Sequence, residues 1–328
     1  MRKLLAPLLA LCLLAGCAPA HRPPEDPAAI IHTVIGVSQV GAESGFRVTN
    51  TESIRSVFTE EAGYRLLFED ARQKQENQIA AIRKFIQQQV DYILLMPLYV
   101  TGWESVLQEA RAAGIPVILV DRVIETEDDS LYTAHVGSDF RWEGEQAVAW
   151  LEETFREAPG PVNILHIRGT LDTSAQLGRS NALEEAVAQH ESWSFLAQLD
   201  GDFTQAKTYE ATTRWLDSQP QPPDIHAVYC ENDNTALRAI QALEERGYLC
   251  GPEGIRVISF DATRQGLDYC LEGKISLEVE CDPLVGPQVE KIIQILEQGD
   301  VPDKHYYTRE RLFTPEDLTR EFIDQRPY

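Results

Sequence analysis

From Thr33 onward, short apolar runs rich in β-branched residues alternate with longer segments of helical period, and this alternation restricts the fold more than any other feature. Parallel strands need a crossover of a dozen or more residues between them, which the helical segments supply. The pattern therefore predicts βαβ units and an α/β fold. The strand runs are Thr33 to Ser38, Tyr64 to Glu69, Tyr92 to Met96, Val117 to Asp121, Val162 to Ile167, Ser194 to Leu199, Ile225 to Cys230, Arg256 to Phe260 and Ile275 to Cys281. Between them, Ile79, Ile82, Phe85 and Ile86 make one apolar stripe on a helix expected over Gln75 to Gln88. Asn234 to Arg246 and Gln288 to Leu296 repeat the device.

The rhythm breaks three times: around Thr126 to Asp139, after Glu280 where Pro283 and Pro287 stand, and from His305 to Phe313. About 300 residues follow the first short segment, and with 43% of the whole chain hydrophobic they hold material for two cores. These breaks predict two Rossmann-like lobes, each a parallel sheet flanked by helices, joined by a three-segment hinge. The N-terminal lobe is expected to take residues 30–136 and 281–304, and the C-terminal lobe 137–280 and 305–328.

The first residues are Met1-Arg2-Lys3, an apolar run from Leu4 to Leu14, and then Ala15-Gly16-Cys17. A basic start, a short hydrophobic run and a small-residue cleavage point read as a secretion signal over residues 1–16. The run is about half the ~20 residues of a spanning helix. Leu14-Ala15-Gly16-Cys17 resembles a lipobox, so Cys17 is expected to carry acyl chains. Residues 17–29 hold four prolines and little that packs, which suits a tether.

Removing the signal moves the formal charge from -23 to about -25, a surface that repels phosphate backbones and argues against nucleic-acid binding. Beyond Cys12 and Cys17, the remaining Cys230, Cys250, Cys270 and Cys281 fit no metal-ligand spacing. In an exported chain they allow one disulfide or none. Cys230 and Cys281 fall in strand runs, where a free thiol packs as a small hydrophobe, which leaves Cys250 with Cys270 as the candidate pair.

In open α/β sheets, ligands bind beyond the carboxyl ends of the strands. Polar residues gather at those positions here: Glu43, Ser44 and Arg47 after the first strand, Asp121 and Arg122 at the fourth, Arg168 and later Arg179 after the fifth. Glu231, Asn232 and Asp233, then Asp261, and finally Glu280 follow the later strands. A carbohydrate offers ring-plane hydroxyls and apolar faces, so Asp, Asn and forked Arg at the rim with an aromatic plate suit it. Phe46 and Phe203 are the candidate plates. Asp233, and less readily Asn232, also read as helix caps, with Asp261 open to the same reading; Arg179 also reads as a solvated helix residue, and Phe46, Trp103 and Trp142 as packing.

As a set, these residues resemble the type I periplasmic sugar-binding proteins, in their ribose and galactofuranose branch. The resemblance runs from about Thr33 to the last helix. It is carried by Gly36-Val37-Ser38-Gln39-Val40-Gly41-Ala42-Glu43-Ser44-Gly45-Phe46-Arg47, by Gln73-Lys74-Gln75-Glu76-Asn77-Gln78, and by Pro97 with Thr101-Gly102-Trp103-Glu104. Ile115-Pro116-Val117-Ile118-Leu119-Val120-Asp121-Arg122, Gly201-Asp202-Phe203-Thr204 and Glu231-Asn232-Asp233 extend it. It implies ligand contacts at Glu43, Ser44, Gly45, Phe46, Arg47, Asp121, Arg122, Arg179, Asn232 and Asp261. Two departures stand out: Phe46 replaces the Trp of galactofuranose-type members, and their cysteine near Asn163 is absent.

The resemblance implies a lipid-anchored, exported, monomeric protein without cofactor, metal or catalysis, held at the outer face of the cytoplasmic membrane or in the periplasm. It would close on a monosaccharide and dock on an ABC importer permease. A sensor that presents its closed form to a membrane histidine kinase would have the same fold and site. A glycosidase is disfavoured because arginines beside the acids would hold them ionised. A repressor effector domain is disfavoured by the export signal and the lack of a helix-turn-helix.

Overall fold

The computed structural model describes residues 33–158 and 160–328. The expected signal, the tether and Cys17 lie outside the described residues. No described helix is long and apolar enough to cross a membrane.

The first sheet is built from β1 (Thr33–Gln39), β2 (Tyr64–Asp70), β3 (Tyr92–Leu95), β4 (Val117–Val120), β5 (Ala134–Gly137) and β11 (His305–Tyr307). The second contains β6 (Val162–Arg168), β7 (Trp193–Asp200), β8 (Ala227–Cys230), β9 (Arg256–Asp261), β10 (Leu277–Glu280) and β12 (Leu312–Phe313). Their spatial orders are β11-β5-β4-β3-β1-β2 and β12-β10-β9-β8-β6-β7, with every pairing parallel except β10 with β12. Both sheets therefore reverse direction of winding beside their first strand, between β1 and β3 and between β6 and β8. That switch point is where crevices open at strand carboxyl ends.

Each sheet is covered on both faces, which is why its strands read as near-continuous apolar runs. In the first lobe, α1 (Gly45–Val57) and α9 (Gly286–Glu297) cover one face, and α2 (Gln75–Gln87) and α3 (Glu104–Ala112) the other. Trp103 packs in the latter core, 1% exposed, with its indole N–H donating to the Tyr99 carbonyl at 2.7 Å. In the second lobe, α4 (Phe140–Thr154) and α5 (Ser174–Gln189) cover one face. On the other lie α6 (Gln205–Asp217), α7 (Asp233–Glu244), α8 (Arg264–Leu271) and α10 (Arg320–Gln325).

The chain passes between sheets three times: after β5, after β10 and between β11 and β12. The third passage differs from expectation. Residues 305–307 pair with β5 (His305↔His135), so they belong to the first sheet and the crossing comes after Tyr307. This three-residue strand is held by aromatic packing, with the His305 and Tyr307 rings 5.7 and 6.0 Å from His135. Such a strand is too short and too exposed to leave an apolar run in the sequence.

The four cysteines of the described residues are buried free thiols, so the Cys250–Cys270 disulfide is not made. Cys270 instead directs its sulfur to the Phe313 carbonyl at 3.7 Å. One packing detail positions the cleft directly. A Cβ on Gly178 would stand 2.6 Å from Phe140 Cβ, and one on Gly144 would stand 2.8 Å from Ala182 Cβ. Only glycines permit this approach of α4 to α5, and it sets Phe140 beside Arg179.

Candidate functional site

The carboxyl ends of both sheets face one cavity. Short caps fix the entry of each contributing helix. Ser44 caps α1, its hydroxyl accepting from the Arg47 N–H at 3.2 Å, so that Phe46 and Arg47 in the first turn face inward. Asp139 caps α4 by accepting from the Trp142 N–H at 3.0 Å, and Thr173 caps α5 by accepting from Gln176 N–H at 3.2 Å. Asn232 caps α7 and also lines the cavity, so the two readings of this residue hold together.

Of the sequence candidates, Glu43, Ser44, Phe46, Arg47, Asp121, Arg122, Arg179, Phe203, Asn232 and Asp261 line this space. Gly45, Asp233 and Glu280 do not. Gly45 opens α1 with no side chain to offer. Asp233 turns into the second lobe, where it accepts from Ser259 Oγ at 2.7 Å and from Thr263 N–H at 2.8 Å. Glu280 turns to the C-terminus, accepting from Arg326 Nη1 at 2.8 Å, Arg311 Nε at 3.1 Å and the Tyr328 hydroxyl at 3.2 Å. Three lining residues, Phe140, Ala175 and Cys281, went unnoticed in the sequence. They sit at crossings and helix starts, where the chain pattern carries no polar or periodic mark.

Three arginines and three acids alternate around the wall. Arg47 Nη1 lies 2.6 Å from Asp121 Oδ2, and Arg47 Nε lies 3.3 Å from Glu43 Oε1. Arg122 Nε is 4.0 Å from the same Asp121 oxygen, and Arg179 Nη2 is 3.7 Å from Asp261 Oδ1. The short Arg47–Asp121 contact is ionic but out of hydrogen-bond alignment. Arg47 Nη1, Asp121 Oδ2, Arg122 Nε and Glu43 Oε2 thus remain buried without a hydrogen-bond partner in the protein. A buried polar atom left in that condition costs on the order of 1–3 kcal/mol, so these atoms favour a polar ligand strongly.

Burial opposes the charge of every arginine here. At Arg47 the carboxylates Asp121 and Glu43 outweigh it and raise the pKa. At Arg179, Glu143, Cys281 and Asp261 do the same. At Arg122, burial and the repulsion of Arg47 lower the pKa to about 10, which still leaves a cation at neutral pH. Asp261 is pushed well above the usual carboxylate range by burial, against the pull of Arg179 and with the help of Asp233 and Asp121.

The backbone is strained where it presents these groups. Asp121 (φ 65°), Phe203 (φ 58°) and Asp261 (φ 99°) all lie in the left-handed region, which residues with side chains occupy at a cost. Phe203 has its place because Gly169 leaves room: a Cβ there would meet the ring at 2.0 Å. Arg179 is aimed by Glu143 Oε2 at 2.6 Å and by the Glu231 carbonyl, and stacks 4.6 Å over the Phe260 ring. Glu231 is in turn fixed by His166 Nε2 at 2.9 Å and Gly169 N–H at 2.7 Å.

The lobes touch around the cavity. Val100 N–H donates to Asp172 O at 2.9 Å, Val123 N–H to Ser174 Oγ at 3.1 Å, and Asn234 Nδ2 to Glu43 O at 3.4 Å. With Arg47, Asp121, Arg122, Arg179 and Asn232 each 3% exposed or less, this is a closed cleft.

Two α/β lobes joined by three crossings, with one enclosed polar cavity between their strand ends, define the class of two-lobed solute-binding proteins. The family model for the periplasmic binding protein domain matches residues 35–280, and the chain belongs to that family, whose members bind solutes and are not enzymes. The galactofuranose-binding protein YtfQ of Escherichia coli (strain K12) is 35% identical over 89% of this chain and 91% of its own length. A crystal structure from Mycobacterium smegmatis in complex with β-D-fucofuranose is 39% identical with a TM-score of 0.81, covering 86% of this chain and 91% of that one. The binding component of the arabinose ABC transporter from Shewanella sp. ANA-3, bound to α- and β-L-arabinofuranose, is 35% identical with a TM-score of 0.83, covering 90% and 96%.

Behind Arg179, at the crossings, burial raises Glu143 to about 7 and Glu310 to about 8. The folded protein therefore keeps a proton on Glu310 that the unfolded chain releases above its ordinary carboxylate pKa, so stability falls as pH rises between that value and about 8. Urea unfolding at pH 5.5 and pH 8 in the presence of chelator is expected to show a loss about 1–3 kcal/mol larger for the parent than for Glu310→Gln. Parallel losses in the two proteins would show that Glu310 is not the titrating group.

Proposed function

We propose that this chain captures one neutral monosaccharide, in furanose form, between its lobes and delivers it to the permease of an ABC importer. The observation that carries this reading is the set of buried wall atoms that the protein leaves without a hydrogen-bond partner: Arg47 Nη1, Asp121 Oδ2, Arg122 Nε and Glu43 Oε2. Donors and acceptors stand side by side there, and the hydroxyls of a neutral ring satisfy both because each donates and accepts. Phe46, Phe140 and Phe203 give the apolar surface that the C–H faces of a sugar ring require. The relatives described above bind galactofuranose, fucofuranose and arabinofuranose, which supports a furanose over a pyranose.

Contacts from both lobes favour the closed form, so ligand and closure stabilise each other. Calorimetric titration with galactofuranose, fucofuranose, arabinofuranose and their pyranose-locked methyl glycosides is expected to give one site, tightest for a furanose. Arg122→Ala should weaken it by about 2 kcal/mol, roughly 30-fold, because its loss leaves a charged hydrogen bond unmade. Absence of heat with every sugar, or equal affinity in Arg122→Ala, would remove this reading.

We further propose that Cys17 is acylated and tethers the protein, as a monomer, to the outer face of the cytoplasmic membrane. Leu14-Ala15-Gly16-Cys17 and the proline-rich stretch after it support this. In cell fractionation, Cys17→Ala should move the protein from the membrane to the soluble envelope fraction, and an unchanged distribution would rule the anchor out.

A further inference from the structure

The three crossings meet in a group of side chains at the back of the sugar cavity, where Cys281 lines the cavity and Glu143 holds Arg179. The first crossing supplies Ser138, with Glu143 one turn into α4; the second supplies Cys281; the third supplies Glu310. One carboxylate oxygen of Glu143, one of Glu310 and the Cys281 sulfur all lie within 4.8 Å of one another. We propose that Glu143, Cys281 and Glu310 form a site for a single thiophilic divalent cation such as Zn²⁺, which binds the three hinge segments together.

Three observations support it. The first is charge. Three acids are packed here against one cation, Arg179, which already pairs with Glu143 and Asp261. Glu310 receives only neutral donors: the Ser138 hydroxyl, Thr308 Oγ1 at 2.7 Å and the Asp282 N–H at 3.4 Å.

The second is an unused donor. Glu143 is 0% exposed, and its Oε1 has no hydrogen-bond partner while its Oε2 is held by Arg179 at 2.6 Å. A carboxylate with one oxygen fixed by an outer group and the other unpartnered is arranged as metal-binding carboxylates are. Glu310 is fixed in the same way by its three donors.

The third is reach and ligand type. The point nearest to three atoms spaced 4.8 Å or less lies no more than about 2.8 Å from each, against bonds of about 2.0–2.3 Å to oxygen and sulfur at zinc. Side-chain shifts of about 0.5–0.8 Å close that gap. Ser138 Oγ lies 3.1 Å from the Cys281 sulfur and donates to Glu310 Oε1, so it ties these two ligands together. Thiolate with carboxylates selects zinc-like ions over calcium or magnesium. Glu310 is only half-buried and gives the ion a route in. On binding, the thiol proton passes to water.

The test is a Co²⁺ titration of the metal-stripped, purified protein, followed by the thiolate-to-cobalt absorption band in the near ultraviolet and then by displacement with Zn²⁺. One equivalent of Co²⁺ should produce the band and Zn²⁺ should erase it. Cys281→Ala should show no band, and Glu310→Gln should bind Co²⁺ at least tenfold more weakly. If Cys281→Ala does not fold, Glu310→Gln decides alone. No thiolate band in the parent, a band that persists in Cys281→Ala, or unchanged affinity in Glu310→Gln would overturn the site and leave a cluster neutralised by protons. None of these outcomes depends on which sugar the cleft takes.

Discussion

Opposite charges enclosed at the meeting of two sheet edges set the terms for the rest of the molecule. Arg47 against Asp121 and Glu43 comes from the first lobe, and Arg179 against Glu143 and Asp261 from the second. Buried ions of this kind are costly unless paired and hydrogen-bonded. Here the pairing is incomplete by design of the geometry: Arg47 and Asp121 touch without alignment, and Arg122 reaches only the Leu98 carbonyl at 3.4 Å. The cleft is therefore polar enough to bind and too poorly self-satisfied to prefer its own contacts over those of a ligand.

Everything around the cleft serves that placement. The two sheets share one winding order, so both aim their switch points at the same space. Glycines at 144, 169 and 178 remove side chains where α4, α5 and Phe203 must approach. Strained backbone at Asp121 and Asp261 is held by neighbours. Asp121 N–H donates to Val136 O at 2.7 Å, and its carbonyl meets His135 Nε2 at 2.9 Å, a ring that burial keeps neutral with a pKa near 4.

The strands were legible in the chain because sheets buried on both faces leave unbroken apolar runs, and Thr33, Tyr64, Val162 and Arg256 mark strand starts in both sequence and structure. Arg47, Arg122 and Arg179 were legible because the fold class says where strand ends point. The rule says which positions reach the edge but not which way a side chain turns there. Asp233 and Glu280 sit at correct strand ends yet turn to Thr263 and to Arg326, partners set by loops far along the chain. Phe140, Cys281 and the grouping of residues 143, 281 and 310 arise only when three crossings meet, and no local spacing announces that. β11 was misplaced for the same reason, as its strand character comes from His135 and not from its own sequence.

A crystal structure of the protein grown with L-arabinofuranose or galactofuranose tests the central claim most directly. The account predicts one sugar ring between the lobes, with hydroxyls on Asp121 and Arg122 from one side and on Arg179, Asn232 and Asp261 from the other. A sugar held by one lobe alone, or bound away from these charges, would contradict it.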